Sequence, residues 1–299
     1  MPVTPADDQR HEAPDNTPDW CESWSFYFIE PRHQLCCYLR LRLLPNRFAC
    51  GIAVSMSRAG KPIYHRQLDG LGLPAGDLLS GIGAAGLSFR ALSLSRGRYL
   101  LGYQDPVARL AIDLDWQGLH EPADPIGMHV PSGMARPPEM RVEQMGRVAG
   151  RMAWRDSTVD LLGMGPREHS IGARGWESTA WYDVTWAMMD DGRAFGLSQF
   201  QRGALLQQQP WMWDREKLLP LYGMRYEKVL DAEDRPSSVE VHFSDPMRRR
   251  YLLSGKRRTS SPCFADHTVV HAAYFDFALD DGTRGIGAQE YGYRMGEVH

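Results

Sequence analysis

Between Arg167 and Trp176 the chain gathers the side chains of proton-transfer chemistry: Glu168, His169, Ser170, guanidiniums at Arg167 and Arg174, and the indole of Trp176. Glycines at 163, 165, 172 and 175 punctuate the stretch and permit unusual backbone angles. Apolar alternation stops here and resumes at Trp181. Charged groups entering an apolar interior must be paired, so Arg167 and Arg174 call for Glu168 or for carboxylates on other strands. Two uses follow: a ligand-facing acid/base site, or a polar network that fixes a sheet corner. Aromatic residues surround the cluster in sequence, with Trp154, Trp176, Trp181, Tyr182 and Trp186 close by and Trp24 near the front. Rings lining a cavity suit a large apolar or polyene ligand, and their faces stabilise a cation by about 0.5 to 2 kcal/mol each.

Other motifs carry less. Gly81-Ile82-Gly83-Ala84-Ala85-Gly86 formally matches a dinucleotide fingerprint, but a strand-like run follows where a phosphate-binding helix would have to start. It reads as a glycine turn. His267 and His271 have a helical zinc spacing inside a β pattern, which separates them too far to share one ion. No metal and no cofactor is expected. The basic runs 248–250 and 256–258 flank a short hairpin-like segment and read as a solvated edge rather than a phosphate site. Vicinal Cys36 and Cys37 point to opposite faces of a strand, so the five cysteines are expected to be free thiols.

The elements that must position these groups are strands. Leu35, Cys37, Leu39, Leu41 and Leu43 alternate with Cys36, Tyr38, Arg40 and Arg42, the period of a half-buried strand. Leu110–Trp116 repeats the pattern, and 87–95 changes phase midway, which predicts a bulge. Ser95–Arg98, Asp190–Arg193 and Asp280–Thr283 have hairpin-turn chemistry. Only 204–222 offers short helical turns, bounded by Pro210 and Pro220. The acidic, Pro-rich residues 1–18 read as a disordered leader without a secretory signal, and 121–140 as a Pro/Gly-rich linker. The expected architecture is all-β: two antiparallel barrel or sandwich domains in tandem, at 19–120 and 141–299.

The 299 residues include 34 basic and 37 acidic side chains, a net charge of −3, with 43% hydrophobic content. That balance argues against a nucleic-acid partner. No apolar run approaches the roughly 18 residues of a membrane helix, so a cytoplasmic location is expected. Oligomeric state is left open.

Gly163, Gly165, Arg167, Glu168, His169, Ser170, Gly172, Arg174 and Trp176 resemble the G-x-G-x-R-D-H-S-W-G-x-R-D-W signature of the carotenoid 1,2-hydratase (hydroxyneurosporene synthase) and AttH-like superfamily of double lipocalin-like proteins. Glu143-Gln144, Asp191-Gly192-Arg193, Gly285–Tyr291 and the opening Glu22–Phe28 add weaker echoes. Glu168 stands where the signature has Asp, Ile171 where it has Trp, and Gly175 where it has its second Asp. The resemblance implies two lipocalin-like domains and a cofactor-free enzyme acting on a hydrophobic isoprenoid or polyketide-like molecule, by acid-catalysed hydration or isomerisation of a C=C bond. Glu168 would then be the acid, His169 would hold water or return the proton, and Arg167 and Arg174 would set the field. An adjacent arginine lowers a carboxyl pKa, which makes Asp183 and Glu290 alternative acids. A pericyclase of the Diels–Alder type and a non-catalytic carrier of an apolar ligand are the other readings of the same fold.

Overall fold

A computed structural model describes residues 3–15, 17–130, 139–173, 179–265 and 268–294. Helix is confined, among these, to Pro125–Met128 and to 3-10 turns at Ala6–Asp8 and Pro45–Arg47. No helix among the described residues is long and apolar enough to cross a membrane.

Strands β1 (Trp20–Glu30), β2 (Leu35–Leu44), β3 (Ala49–Arg58), β4 (Lys61–Gly72), β5 (Ile82–Ala84), β6 (Leu87–Ser93), β7 (Arg98–Asp105), β8 (Leu110–Gly118), β9 (Met140–Trp154) and β10 (Ser157–Ala173) form one sheet. Its order is β4-β3-β2-β1-β10-β9-β8-β7-β6-β5. The second sheet comprises β11 (Thr179–Met189), β12 (Ala194–Arg202), β13 (Leu205–Gln208), β14 (Trp211–Trp213), β15 (Leu218–Pro220), β16 (Tyr222–Leu230), β17 (Pro236–Ser244), β18 (Arg250–Ala265), β19 (Thr268–Leu279) and β20 (Arg284–Arg294). There the order is β15-β14-β12-β11-β20-β19-β18-β17-β16, with β13 against β12. Each sheet is a nearly closed antiparallel barrel. The chain divides into two compact units, the first holding most of the first sheet and the second all of the second sheet. In each, the first strand pairs with the last, β1 with β10 and β11 with β20.

The two closing strands share a local pattern. Gly163-x-Gly165-x-Arg167-Glu168-His169 on β10 is matched by Gly285-x-Gly287-x-Gln289-Glu290-Tyr291 on β20. Glycine is required at the inner positions of both: a Cβ at Gly165 would overlap the carbonyl oxygen of Tyr27, and one at Gly287 that of Trp186. The neighbouring strand's backbone leaves no room. In both strands the residues two and four positions later point into the barrel, which places Arg167 and His169 inside the first and Gln289 and Tyr291 inside the second.

Several sequence expectations change. The strands 140–154 and 157–173 return to the first sheet, so strands of that sheet lie on both sides of the expected 121–140 linker, and the second sheet begins with β11 at Thr179. Composition marks a break in the chain but does not say which edge the next strand joins. The leader is ordered where described: its Asp8 is only 1% exposed and paired with Arg167, and Val3 and Ala13 pack against the apolar cluster of Trp20, Met140, Val142 and Ile171. Residues 204–222 form short strands instead of helical turns, and the basic runs lie at the entry to and in the middle of the single strand β18, with Arg248 and Arg249 just before it. Arg249, Arg257 and Arg258 pair with Asp245, Asp231 and Asp276 at 2.6–2.7 Å. Strand β2 is buried on both faces rather than one, with Cys36, Tyr38 and Arg42 all enclosed. The bulge in 87–95 is present between Ala91 and Ser93. The expected turns carry Gly97, Gly192 and Gly282 at positive φ. Cys21, Cys36, Cys37 and Cys50 are free and buried.

Candidate functional site

Inside the first barrel, period two sets the rows. Trp24 of β1 lies opposite His169 of β10, and Phe26 opposite Arg167, which faces Gln144 of β9. The N-terminal segment inserts Asp8 among them. Arg167 Nη1 donates to Asp8 Oδ1 at 2.8 Å, Nη2 lies 2.8 Å from Oδ2, and Nε donates to Gln144 Oε1 at 2.9 Å. Tyr99 donates its hydroxyl to Asp8, and the guanidinium sits 4.8 Å over the Tyr99 ring. His169 donates from Nδ1 to Asp8 at 3.2 Å and from Nε2 to Glu22 at 2.8 Å, with its ring stacked 4.7 Å from Trp24. His11 donates from Nδ1 to the same Glu22 oxygen at 3.0 Å.

Two cations meet two anions here. Burial opposes ionisation, yet the Arg167 charge and the His169 hydrogen bond hold the Asp8 carboxyl well below the usual carboxylate range. Glu22 is likewise lowered against burial by His11 and His169, and His169 is raised against burial by its two carboxylates. This compensated network occupies the barrel with the chain's own N-terminus. Of the motif, Arg167 and His169 belong to it.

Glu168 is elsewhere. Its position between Arg167 and His169 puts it on the opposite face of β10, across from Glu143 and 3.5 Å from Arg141 Nε. Glu168 and His169 therefore do not share a site. Arg174, Trp176 and His267 lie outside the described residues. Trp154 ends β9, where Arg155 covers its ring at 5.5 Å.

The second barrel assembles a different set. Gln199, Asp183, Tyr291 and His271 stand in one row across β12, β11, β20 and β19. One step deeper come Leu197, Thr185, Gln289 and Ala273, and below them Phe195, Ala187 and Phe275 belong to the apolar core. Across the barrel, β16 contributes Tyr226 and Lys228, two apart and so on one face. Lys228 Nζ lies 3.0 Å from both Asp183 oxygens, 3.7 Å over the Tyr291 ring and 5.1 Å over that of Trp181. Gln199 donates to Asp183 at 3.1 Å, while Tyr226 OH meets Thr185 at 2.8 Å and accepts from Gln289 at 3.0 Å.

Burial pushes the Asp183 carboxyl up, against the attraction of Lys228 and the Gln199 hydrogen bond. The same burial pulls the Lys228 ammonium down, against Asp183. Both shifts run toward the neutral forms, across a 3.0 Å contact short enough for direct proton transfer between an acid and a base. Gln289 Oε1 is fully buried without a hydrogen-bond partner among the described residues. Of the other candidates, Tyr182 and Glu290 face away from Asp183 and meet at 3.5 Å, and Trp186 is buried on that same face. Lys228, Tyr226 and Gln199 drew no notice in the sequence. The alternation of Tyr222–Leu230 would have placed Tyr226 and Lys228 together, but not opposite Asp183.

Residues 4–294 match a family described as a domain of unknown function, DUF7064. The chain belongs to the DUF7064 family. No curated protein matches it. Among solved structures, this DUF7064 chain is similar to CghA with Sch210972 (10% identity, 94% and 90% of the two chains covered, TM-score 0.68). It is also similar to an AttH candidate from Nitrosomonas europaea (13%, 97% and 98%, 0.64) and to kievitone hydratase from Nectria haematococca (9%, 91% and 88%, 0.60). The likeness establishes the double-barrel lipocalin-like fold that the Gly163–Trp176 resemblance implied.

Proposed function

We propose that this DUF7064 protein is an enzyme that hydrates or isomerises a C=C bond of a hydrophobic small molecule in its second barrel, with Asp183 as the acid. The observation that carries the reading is the contact of buried Asp183 with Lys228, 3.0 Å apart beneath the rings of Tyr291 and Trp181. The hydratase name of one structural relative supports it. The protonated Asp183 carboxyl gives its proton to one alkene carbon, and the positive charge develops on the other, against the aromatic faces. Water bonds to that carbon and loses its proton to the Lys228 amine. Direct transfer from the resulting ammonium to the Asp183 carboxylate restores both groups. In isomerisation, Lys228 removes a proton from the adjacent carbon instead, and no water is added.

The test uses the purified chain with a panel of isoprenoid and polyketide alkenes in isotopically labelled water, read by mass spectrometry. Wild type should return a ligand carrying one labelled water or a shifted double bond, and Asp183→Asn should return it unchanged. Recovery of unchanged ligand from wild type would identify a carrier and end the enzymatic reading. Turnover that persists in Asp183→Asn with a flat pH profile would point to a cyclase that needs no acid.

A further inference from the structure

The network in the first barrel contains a feature that charge compensation does not require. Two imidazole nitrogens, His11 Nδ1 and His169 Nε2, converge on a single oxygen, Glu22 Oε1, at 3.0 and 2.8 Å. The three ligand atoms lie within 4.8 Å of one another, and no other such group of three occurs among the described residues. We propose that His11, Glu22 and His169 form a binding site for a divalent transition-metal ion of the zinc class.

The ligand set is two imidazoles and one carboxylate, which suits such ions. Zinc bonds of about 2.0–2.2 Å place tetrahedral ligands roughly 3.3 Å apart, so the two nitrogen–oxygen separations need open by only a few tenths of an ångström, while the two nitrogens already lie within 4.8 Å of each other. The ion would take the place of the protons that now point at Glu22 Oε1. His169 gives up its Nε2 proton to solvent, and His11 moves its remaining proton from Nδ1 to Nε2. Asp8 then accepts from His169 Nδ1, the outer carboxylate that fixes ring orientation in many histidine–metal sites. Glu22 and His169 are fully buried, whereas the His11 side chain is 30% exposed, which leaves an approach from solvent. Short-range spacing could not reveal the site, since one ligand sits in the N-terminal segment and the others on β1 and β10.

The same strand supplies a control. His33 Nδ1 meets Glu30 at 2.9 Å with matching burial, but the metal-forming group does not recur there. Titration of the metal-free full-length chain with Zn²⁺ alone, by calorimetry in two buffers of different ionisation enthalpy, should show one ion per chain and proton release. His11→Ala should weaken binding more than about tenfold with an unchanged far-UV spectrum, and His11→Cys should restore it. His33→Ala should bind as wild type does. No saturable binding, or binding undiminished in His11→Ala, overturns the proposal.

Discussion

Lys228 Nζ is equidistant, at 3.0 Å, from the two carboxylate oxygens of Asp183, although the residues come from strands β16 and β11 that are not neighbours in the sheet. The Lys228 side chain bridges the barrel interior. Each group depends on the other to be tolerated where it is.

Lys228→Met should expose that dependence. Without the cation, burial raises the Asp183 carboxyl further above its unfolded value. A raised carboxyl stabilises the fold below the unfolded pKa and loses that contribution as pH rises through the folded one. The variant should therefore lose most stability near neutral pH, up to about 3–5 kcal/mol, and recover part of it on acidification. Urea unfolding of variant and wild type at two pH values checks the sign; an equal loss at both would contradict it.

Catalysis should follow the same carboxyl. Asp183→Asn should reduce turnover by about 10²–10⁴-fold while retaining the fold, because the amide keeps the shape but cannot supply the proton. In wild type the rate should fall as pH rises through the elevated Asp183 pKa, seen as a descending limb in kcat/KM.

Asp8→Ala should destabilise the first barrel by about 3–5 kcal/mol, since it leaves buried Arg167 uncompensated. Chemical denaturation measures this. A loss below 1 kcal/mol would mean that the N-terminal segment contributes little.

His120 predicts an acid limb in stability. Its Nδ1 donates to Glu121 O at 2.6 Å and its Nε2 accepts from Met145 N–H at 3.0 Å, so the neutral ring is fully used. Burial lowers it to about 4. The stability this provides is present above the unfolded value near 6.5 and is lost as pH falls toward about 4, by about 3 kcal/mol in all. His120→Asn should shrink that limb.

Gly165→Ala and Gly287→Ala should each cost about 1–3 kcal/mol or more, because the obstructing atoms are backbone oxygens. Gly72→Ala, with open space around it and no positive φ, should stay within about 0.5 kcal/mol. Thermal unfolding of the three variants separates them.

Strand period and turn chemistry were legible in the sequence, down to the bulge before Ser93 and the glycines at 97, 192 and 282. The same period of two was enough to separate Glu168 from His169, which the density of functional groups obscured. Long-range pairing was not legible. The partners of Arg167 and Asp183 are Asp8 and Lys228, drawn from other strands or from the N-terminal segment. Low hydrophobicity made that segment look disordered, but a buried carboxylate between a guanidinium and an imidazolium adds docking that its few apolar contacts, at Val3 and Ala13, would not supply alone.

Asp8 and Arg167 are 159 residues apart. At about 5–20 residues per second, a ribosome delivers the second partner roughly 10–30 s after the first. During synthesis β1 has neither its closing strand β10 nor the charge that anchors the segment before it. The first barrel can shut only when β10, which ends at Ala173, has been made, so its earliest strands must wait with an open edge in the crowded exit zone.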